Sequence, residues 1–312
     1  MSSLRELSPV LIKIAKEELN EVPNRLKDDI KNLKIWAEKQ KNFKSRISDQ
    51  FLVAFLRGCK HSLERSKEKL ERYYLLKANL EELYTNRRSD DPILLNILKQ
   101  GIVLPLIKPH GEGGPIVHII RPGSYDPNKI KFSDIIKVGT IIADIYLIEN
   151  DNAVVSGLIE VLDLGNVSAQ HLFHIDVAFV KKFATYYENG MPIRQKGFYF
   201  INTPTGFETL YNIFKPLISS KNKDRVVIAQ GSKEIALHPY ILKDILPEEY
   251  GGNGGSAEDI NNYWITKFLE YKDYFIEEDC YVMEEKFKNS TFESCKMTNF
   301  GIDGSFRKIE FD

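Results

Sequence analysis

The first 92 residues repeat apolar side chains at spacings of three and four, the pattern of helices that bury one face. Ser8 and Pro9 open one such segment as an N-cap and a first helical residue, and Pro23 opens the next. Ser48 precedes a short apolar segment, and a longer amphipathic one follows from Ser62. We therefore predict a bundle of three or four helices that ends at the polar, turn-rich stretch 87–92.

Between residues 93 and 252, apolar runs of strand type alternate with helical patterns. The predicted strands are 114–123, 154–165, 196–204 and 224–231, and the predicted helices are 131–151, 168–190 and 204–218. This alternation predicts an α/β fold, with a mixed, largely parallel sheet and flanking helices. The predicted domains are a helical bundle at 1–92, an α/β domain at 93–255, and a C-terminal helix and tail at 256–312.

Charge and motif content exclude several classes of protein. Lys and Arg number 43 and Asp and Glu 44, so the net charge of −1 gives no overall attraction to nucleic acid, and any basic site is local. The three cysteines lack metal-ligand spacing and are typical of a reduced, cytoplasmic protein. The charged N-terminus is not a signal peptide, and no apolar run is long enough to span a membrane. No nucleotide-binding, hydrolase-elbow or metalloprotease motif is present, so these motifs predict no cofactor and no metal site.

Two carboxylates stand in apolar surroundings. Glu160 interrupts the strand "GLIEVLDLG", and Asp144 interrupts the helix "TIIADIYLI". A buried, unpaired charge is costly, so Glu160 lies at an edge, forms an ion pair, contacts a ligand in a cavity, or acts as a catalytic acid. The same alternatives apply to Asp144, with more weight on a structural role.

The predicted helix 204–218 lies between two basic clusters. Arg194 and Lys196 precede it, and Lys221 and Arg225 follow it. One interpretation is a buried core helix with solvated ends. The other is a hinged lid over an apolar ligand, close to a negatively charged surface.

Several motifs together resemble the CRAL-TRIO family. "FLVAFLRGCKHSLERSKEKLERYYLLK" resembles its N-terminal helical signature, and "GPIVHIIRPGSYDP", "VVSGLIEVLDLGNVS" and "KGFYFINTP" resemble its strands. "FKPLISSKNKDRVVIAQG" and "ILPEEYGG" resemble the end of its lid and its closing motif. The motifs occur in the family's order over about residues 10–255. Cys59 departs from the pattern, since an arginine is frequent at that position.

The resemblance implies a non-enzymatic carrier with a helical N-terminal bundle and a lidded α/β domain that encloses one hydrophobic ligand. A retinoid, a tocopherol or a carotenoid-like molecule would be typical cargo. The resemblance also implies transient peripheral contact with phosphoinositide-containing membranes, through basic residues that match a headgroup site: Arg194, Lys196, Lys221 and Arg225. A phosphatidylinositol or phospholipid exchange protein, and a membrane-recruited adaptor without cargo, remain alternatives.

The family's cavity walls map onto side chains of the central strands, their neighbouring helices and the lid. These are Thr140, Asp144, Leu158, Glu160, Leu162, Phe183, Tyr187, Phe198, Phe207, Leu210, Tyr211 and Phe214.

Overall fold

The computed structural model describes residues 4–285 except 206, 208–210, 213–214, 216–219 and 232. The helices before the sheet are α1 (Pro9–Leu19), α2 (Pro23–Glu38), α3 (Asp49–Gly58), α4 (Leu63–Asn79), α5 (Glu81–Tyr84) and α6 (Pro92–Lys99). Later helices are α7 (Phe132–Glu149), α8 (Asp151–Ser156), α9 (Ala169–Phe173), α10 (Val177–Asn189), α11 (Ser220–Lys223), α12 (Lys233–Leu237), α13 (Ala257–Glu270) and α14 (Lys272–Glu278). The strands are β1 (Val103–Pro105), β2 (Ile116–Ile120), β3 (Leu158–Asp163), β4 (Gln195–Ile201) and β5 (Val226–Ile228).

The five strands form one sheet in chain order, β1-β2-β3-β4-β5. Strand β1 is antiparallel to β2, and the remaining neighbours are parallel. Helices separate each pair of parallel strands along the chain, as parallel connections require. The predicted α/β fold with a mixed, largely parallel sheet is confirmed.

The predicted strand 154–165 is wrong at its start, where α8 precedes β3. The side chain of Asn150 caps this helix by accepting a hydrogen bond from the Ala153 amide at 2.9 Å. Gly157 then reverses the chain with φ of +91°, a conformation that favours glycine. The β-branched pair Val154 and Val155 favours a strand locally, but the two caps outweigh that preference.

The predicted helix 168–190 is two helices, because Asp176 starts a new one within it. The Asp176 carboxylate accepts from the amides of Ala178 at 2.8 Å and Phe179 at 3.3 Å. The predicted C-terminal helix likewise divides at Tyr271 into α13 and α14. Strand β1 was not predicted, since it is short and depends on pairing with β2.

One hydrophobic core extends from the N-terminal helices through the sheet to the C-terminal helices. Helix α13 closes the β1 edge, where the Trp264 indole donates to the carbonyl of Pro105 at 2.7 Å. Helix α1 differs, since its buried residues Leu11, Ala15 and Leu19 form a small separate cluster with Val155. The first helix is therefore attached at one side of α8 rather than inserted into the main core.

The register of the sheet assigns its two faces. His118, Glu160 and Phe198 are paired across β2, β3 and β4, so their side chains leave the same face. Ile159 and Val161 point to the opposite face and are buried. Glu160 lies on the central strand, which excludes the edge position among the sequence-based interpretations.

Candidate functional site

A small polar cluster lies in the middle of the sheet face that carries Glu160. The Glu160 carboxylate, 9% exposed as a residue, has its Oε1 3.3 Å from Nδ1 of His118. The other ring nitrogen of His118, Nε2, is 3.0 Å from the hydroxyl of Tyr146 on α7. The carboxylate is therefore buried beside His118, its ion-pair partner.

Tyr187 on α10 lies beside this carboxylate. Its hydroxyl donates to Oε1 of Gln195 at 2.7 Å, and the Gln195 amide donates to the carbonyl of Gly197 at 2.7 Å. Burial, then the negative charge of Glu160 and a hydrogen bond to its carboxylate, raise the pKa of Tyr187 well above its ordinary value. The same two causes raise the pKa of Tyr146. Both phenols consequently stay neutral hydrogen-bond donors.

Apolar side chains surround the polar cluster. Leu158 and Leu162 flank Glu160 on the same face of β3, and Phe198 lies across from it on β4. Phe183 on α10 has its ring centroid 6.1 Å from that of Tyr187. Leu162, Phe183, Tyr187 and Phe198 are each only partly buried, whereas Leu158 is fully buried. These predicted cavity residues are therefore brought together on one face, opposite α10.

The start of the predicted lid packs against the same strand. Phe207, 8% exposed, has its ring 5.2 Å from that of Phe200, and Tyr211 lies 6.0 Å from both rings. Phe200 pairs with Leu162 and so shares the face of Glu160. Leu210 and Phe214, also predicted for the lid, lie outside the described residues.

Thr140 and Asp144 have their contacts on the side of the N-terminal helices. Asp144 forms a buried ion pair with Arg87 and accepts from the Tyr73 hydroxyl at 2.8 Å. The Thr140 hydroxyl donates to the carbonyl of Lys137 at 2.8 Å and lies 3.5 Å from Arg87. Burial disfavours the charge of Arg87, but the carboxylate of Asp144 holds the pKa of Arg87 above its ordinary value. The structure separates these two residues from the cluster around Glu160, and their predicted contact with a ligand stays a prediction.

The first two residues of the predicted headgroup site share one carboxylate. Oε2 of Glu18 on α1 is 3.1 Å from Arg194 and 3.3 Å from Lys196. Burial, and then the positive charges of Arg194 and Arg225, lower the pKa of Lys196. Burial opposes ionisation of Glu18, but Lys196 and Arg194 outweigh it and lower the pKa of Glu18. The arrangement is a cation cluster that already holds one internal anion.

Arg225 belongs to the same cluster by position. Its guanidinium donates to the carbonyl of Gln195, next to Lys196, and lies 3.3 Å from Oδ1 of Asn222. Lys221 lies in α11, and its side chain is outside the described part of the chain. A Cβ at Gly157 would come within 2.2 Å of the Arg194 carbonyl, so this glycine permits the close approach of β3 to the cluster. Three of the four predicted basic residues are thus neighbours.

Sequence analysis missed several residues of these sites. Phe200 follows Phe198 by the period of a strand and could have been assigned to the same face. His118 could be found only from the β2–β3 register. Glu18 and Arg87 are distant in sequence from their partners, and no local signal identifies them.

Within the described residues, no helix is both long and apolar enough to cross a bilayer. No cluster of three or more His, Cys, Asp or Glu side chains in that part of the chain could hold a metal ion.

Two known protein families match parts of this chain. The family described as "CRAL/TRIO domain" matches residues 102–252, which include the whole sheet, the polar cluster and the basic cluster. The chain contains a CRAL/TRIO domain at these residues. A second family, "Pinta-like, UBA domain", matches residues 22–94 in the N-terminal helices. Members of the CRAL/TRIO family bind and transfer lipophilic ligands, and the family consists of lipid-binding transfer proteins rather than enzymes.

Curated relatives align over most of this chain. Human alpha-tocopherol transfer protein-like is 28% identical over 279 residues, covering 88% of this chain and 78% of the relative. Clavesin-1 of Xenopus laevis is 26% identical over 248 residues, covering 79% of this chain and 74% of the relative. The crystal structure of Sfh5 covers 86% of this chain and 99% of its own, with a TM-score of 0.47 and 14% identity.

Proposed function

We propose that this protein binds one small hydrophobic molecule between the Glu160 face of the sheet and α10, and transfers it to or from membranes. The observation that carries the proposal is the CRAL/TRIO domain at residues 102–252, whose family members bind lipophilic ligands. The cluster of partly buried aromatic and leucine side chains on this face supports the location. Apolar surface of this kind gains stability when a ligand removes it from water.

The segment that begins at Phe207 is proposed to act as the lid. Phe207 and Tyr211 pack on Phe200, at the end of the sheet face that carries the polar cluster. An aromatic side chain in that position can contact the ligand in a closed state and a bilayer in an open state, because both partners are apolar.

Arg194, Lys196, Lys221 and Arg225 are proposed to bind a phosphoinositide headgroup beside the lid. Arg supplies a planar fork of donors and Lys a compact charge, and both suit phosphate. Arg194 and Arg225 lie close enough to Lys196 to lower its pKa, which supports assigning the three residues to one site. Contact with membranes would then be peripheral and would weaken with salt.

Mass spectrometry of the organic extract of protein purified from its native source tests the carrier function. A stoichiometric isoprenoid such as a retinoid or tocopherol supports it. A phospholipid favours the exchange alternative, and an empty protein favours the adaptor. Transfer of the extracted lipid between vesicles, with and without phosphatidylinositol phosphates in the acceptor, then tests the headgroup site. Lys196→Glu with Arg225→Glu should abolish the phosphoinositide dependence of transfer and leave ligand binding in solution unchanged.

A further inference from the structure

Helix α1 is attached to the rest of the molecule through a small contact of its own. Its buried residues, which include Leu11, form with Val155 of α8 a cluster that is separate from the main core. Just before the helix, the guanidinium of Arg5 donates to both carboxylate oxygens of Asp151, at 2.7 and 2.9 Å. A helix attached in this way can leave its place while the main core stays closed, because the main core does not include its residues.

The chain that follows α1 has a pivot and then a fixed point. Asn20, which ends the helix, has φ of +61°, in the left-handed region that asparagine adopts more readily than most residues. The next residue, Glu21, is buried and accepts from Nε and Nη2 of Arg57 at 2.8 and 3.2 Å. A movement of α1 can therefore be taken up at Asn20, while Glu21 holds the following helices in place.

The C-terminal end of α1 lies on the basic cluster. Oε2 of Glu18, in the last turn, is 3.1 Å from Arg194 and 3.3 Å from Lys196. Arg194 also donates to the carbonyl of Val155, so the basic cluster and the attachment of α1 meet at this residue. A phosphorylated headgroup at the cluster would meet a carboxylate of the same sign, and like charges repel. Rotation of the Glu18 side chain alone does not remove the conflict, since the C-terminal end of a helix carries partial negative charge of its own.

We propose that α1 is an autoinhibitory helix, which occupies the basic cluster of Arg194, Lys196 and Arg225 in the free protein and is displaced as a unit when a phosphorylated headgroup binds. This rests on the proposed headgroup site and adds its regulation, since binding has to compete with the attachment of α1. The apparent affinity for the headgroup is then lowered in proportion to the fraction of molecules in which α1 is displaced. Displacement also exposes Leu11 and Leu19, part of an apolar helix face that suits the surface of a bilayer.

The test loosens α1 without changing the basic cluster. Leu11 is 4% exposed, and Leu11→Ala weakens the attachment of the helix while Glu18 stays in place. We expect this variant to bind phosphatidylcholine vesicles that contain a phosphatidylinositol bisphosphate about fivefold or more tightly than the wild type does, measured by co-sedimentation. Leu94→Ala on α6 is the matched control, since Leu94 is 2% exposed in the main core, and it should lower stability without a gain in binding. Arg5→Gln, which removes the contact with Asp151, serves if circular dichroism shows that Leu11→Ala is not folded.

Hydrogen–deuterium exchange of the wild type reports the displacement itself. Soluble inositol trisphosphate and the bisphosphate vesicles should each speed the exchange of amides in α1, whereas the amides of α6 should not change. Equal vesicle binding by the wild type and Leu11→Ala, with unchanged exchange in α1, would overturn the autoinhibitory role and leave the headgroup site standing. If neither the wild type nor any variant distinguishes vesicles with the bisphosphate from vesicles without it, the headgroup site fails and the autoinhibitory role fails with it.

Discussion

Removing the carboxylate of Asp144 should destabilise the protein strongly. The side chains of Asp144 and Arg87 are 1% and 2% exposed, so Asp144→Ala leaves a guanidinium buried without its counter-charge. The hydroxyl of Tyr73 also loses its acceptor. Breaking a buried pair by removing one partner costs about 3–5 kcal/mol. That is a large part of the roughly 5–15 kcal/mol that stabilises a typical protein and corresponds to a fall in Tm on the order of 10 °C.

Urea denaturation followed by circular dichroism measures the loss, and a double variant separates its cause. Asp144→Leu with Arg87→Met removes both charges and should recover most of the stability, because the unpaired charge rather than the missing attraction carries the cost. Lys129→Met is the control, since Lys129 is 81% exposed in its pair with Asp126 and should change stability by less than about 0.5 kcal/mol. A loss below about 1 kcal/mol for Asp144→Ala, together with weaker ligand binding, would refute the structural assignment and return Asp144 to the cavity wall.

Three further changes test other parts of the molecule. Glu18→Gln should strengthen binding to phosphoinositide vesicles several-fold in a co-sedimentation assay, because it removes the carboxylate that pairs with Arg194 and Lys196. Each of these two cations contributes about 1 kcal/mol to binding near an anionic surface. Unchanged binding would show that Glu18 does not compete with the headgroup. Burial raises the pKa of Glu71 from its ordinary 4.5 to about 7, so the folded state binds this proton more tightly than the unfolded state does. The stability of the protein therefore falls as the pH rises from 4.5 to 7. Glu71→Gln should raise Tm at pH 8 and hardly change it at pH 5, and equal shifts at both pH values would refute the raised pKa of Glu71. Phe207→Asp should weaken retention of the extracted lipid on gel filtration, whereas the same change at Phe173, which is 87% exposed, should not.

The elements that sequence analysis placed correctly are those with local signals. Helix α1 begins at Pro9 behind the Ser8 cap, whose side chain accepts from the Leu11 amide. The errors arose where a cap inside an apolar run decides the outcome, as at Asn150 before α8. Strand β1 is too short to be distinguished from a loop until β2 lies beside it.

For the candidate site, strand periodicity identified the face of Glu160 but not its partners. His118 comes to Glu160 only through the pairing of β2 with β3. Likewise, the polar stretch 87–92 gives no indication that Arg87 is buried. Arg87 lies 57 residues from Asp144, and no pattern in the chain joins them before the helices pack.

Two kinds of buried carboxylate coexist in this fold, and substitution should destabilise one kind much more than the other. Glu278 on α14 accepts from Arg46 at 3.0 Å and Lys77 at 2.5 Å, and Asp144 has Arg87, so each neutralises a buried cation and holds helices together. Glu160 has His118 and the hydroxyl of Tyr187 beside it, and neither is a permanent cation. Replacing Glu160 by leucine should therefore cost about 1 kcal/mol or less, against about 3–5 kcal/mol for the same change at Glu278, because no buried cation loses its counter-charge. Thermal unfolding of ligand-free Glu160→Leu beside Glu278→Leu measures this contrast. A loss of stability at Glu160 as large as at Glu278 would mean that Glu160 is a structural residue of the same kind as Glu278.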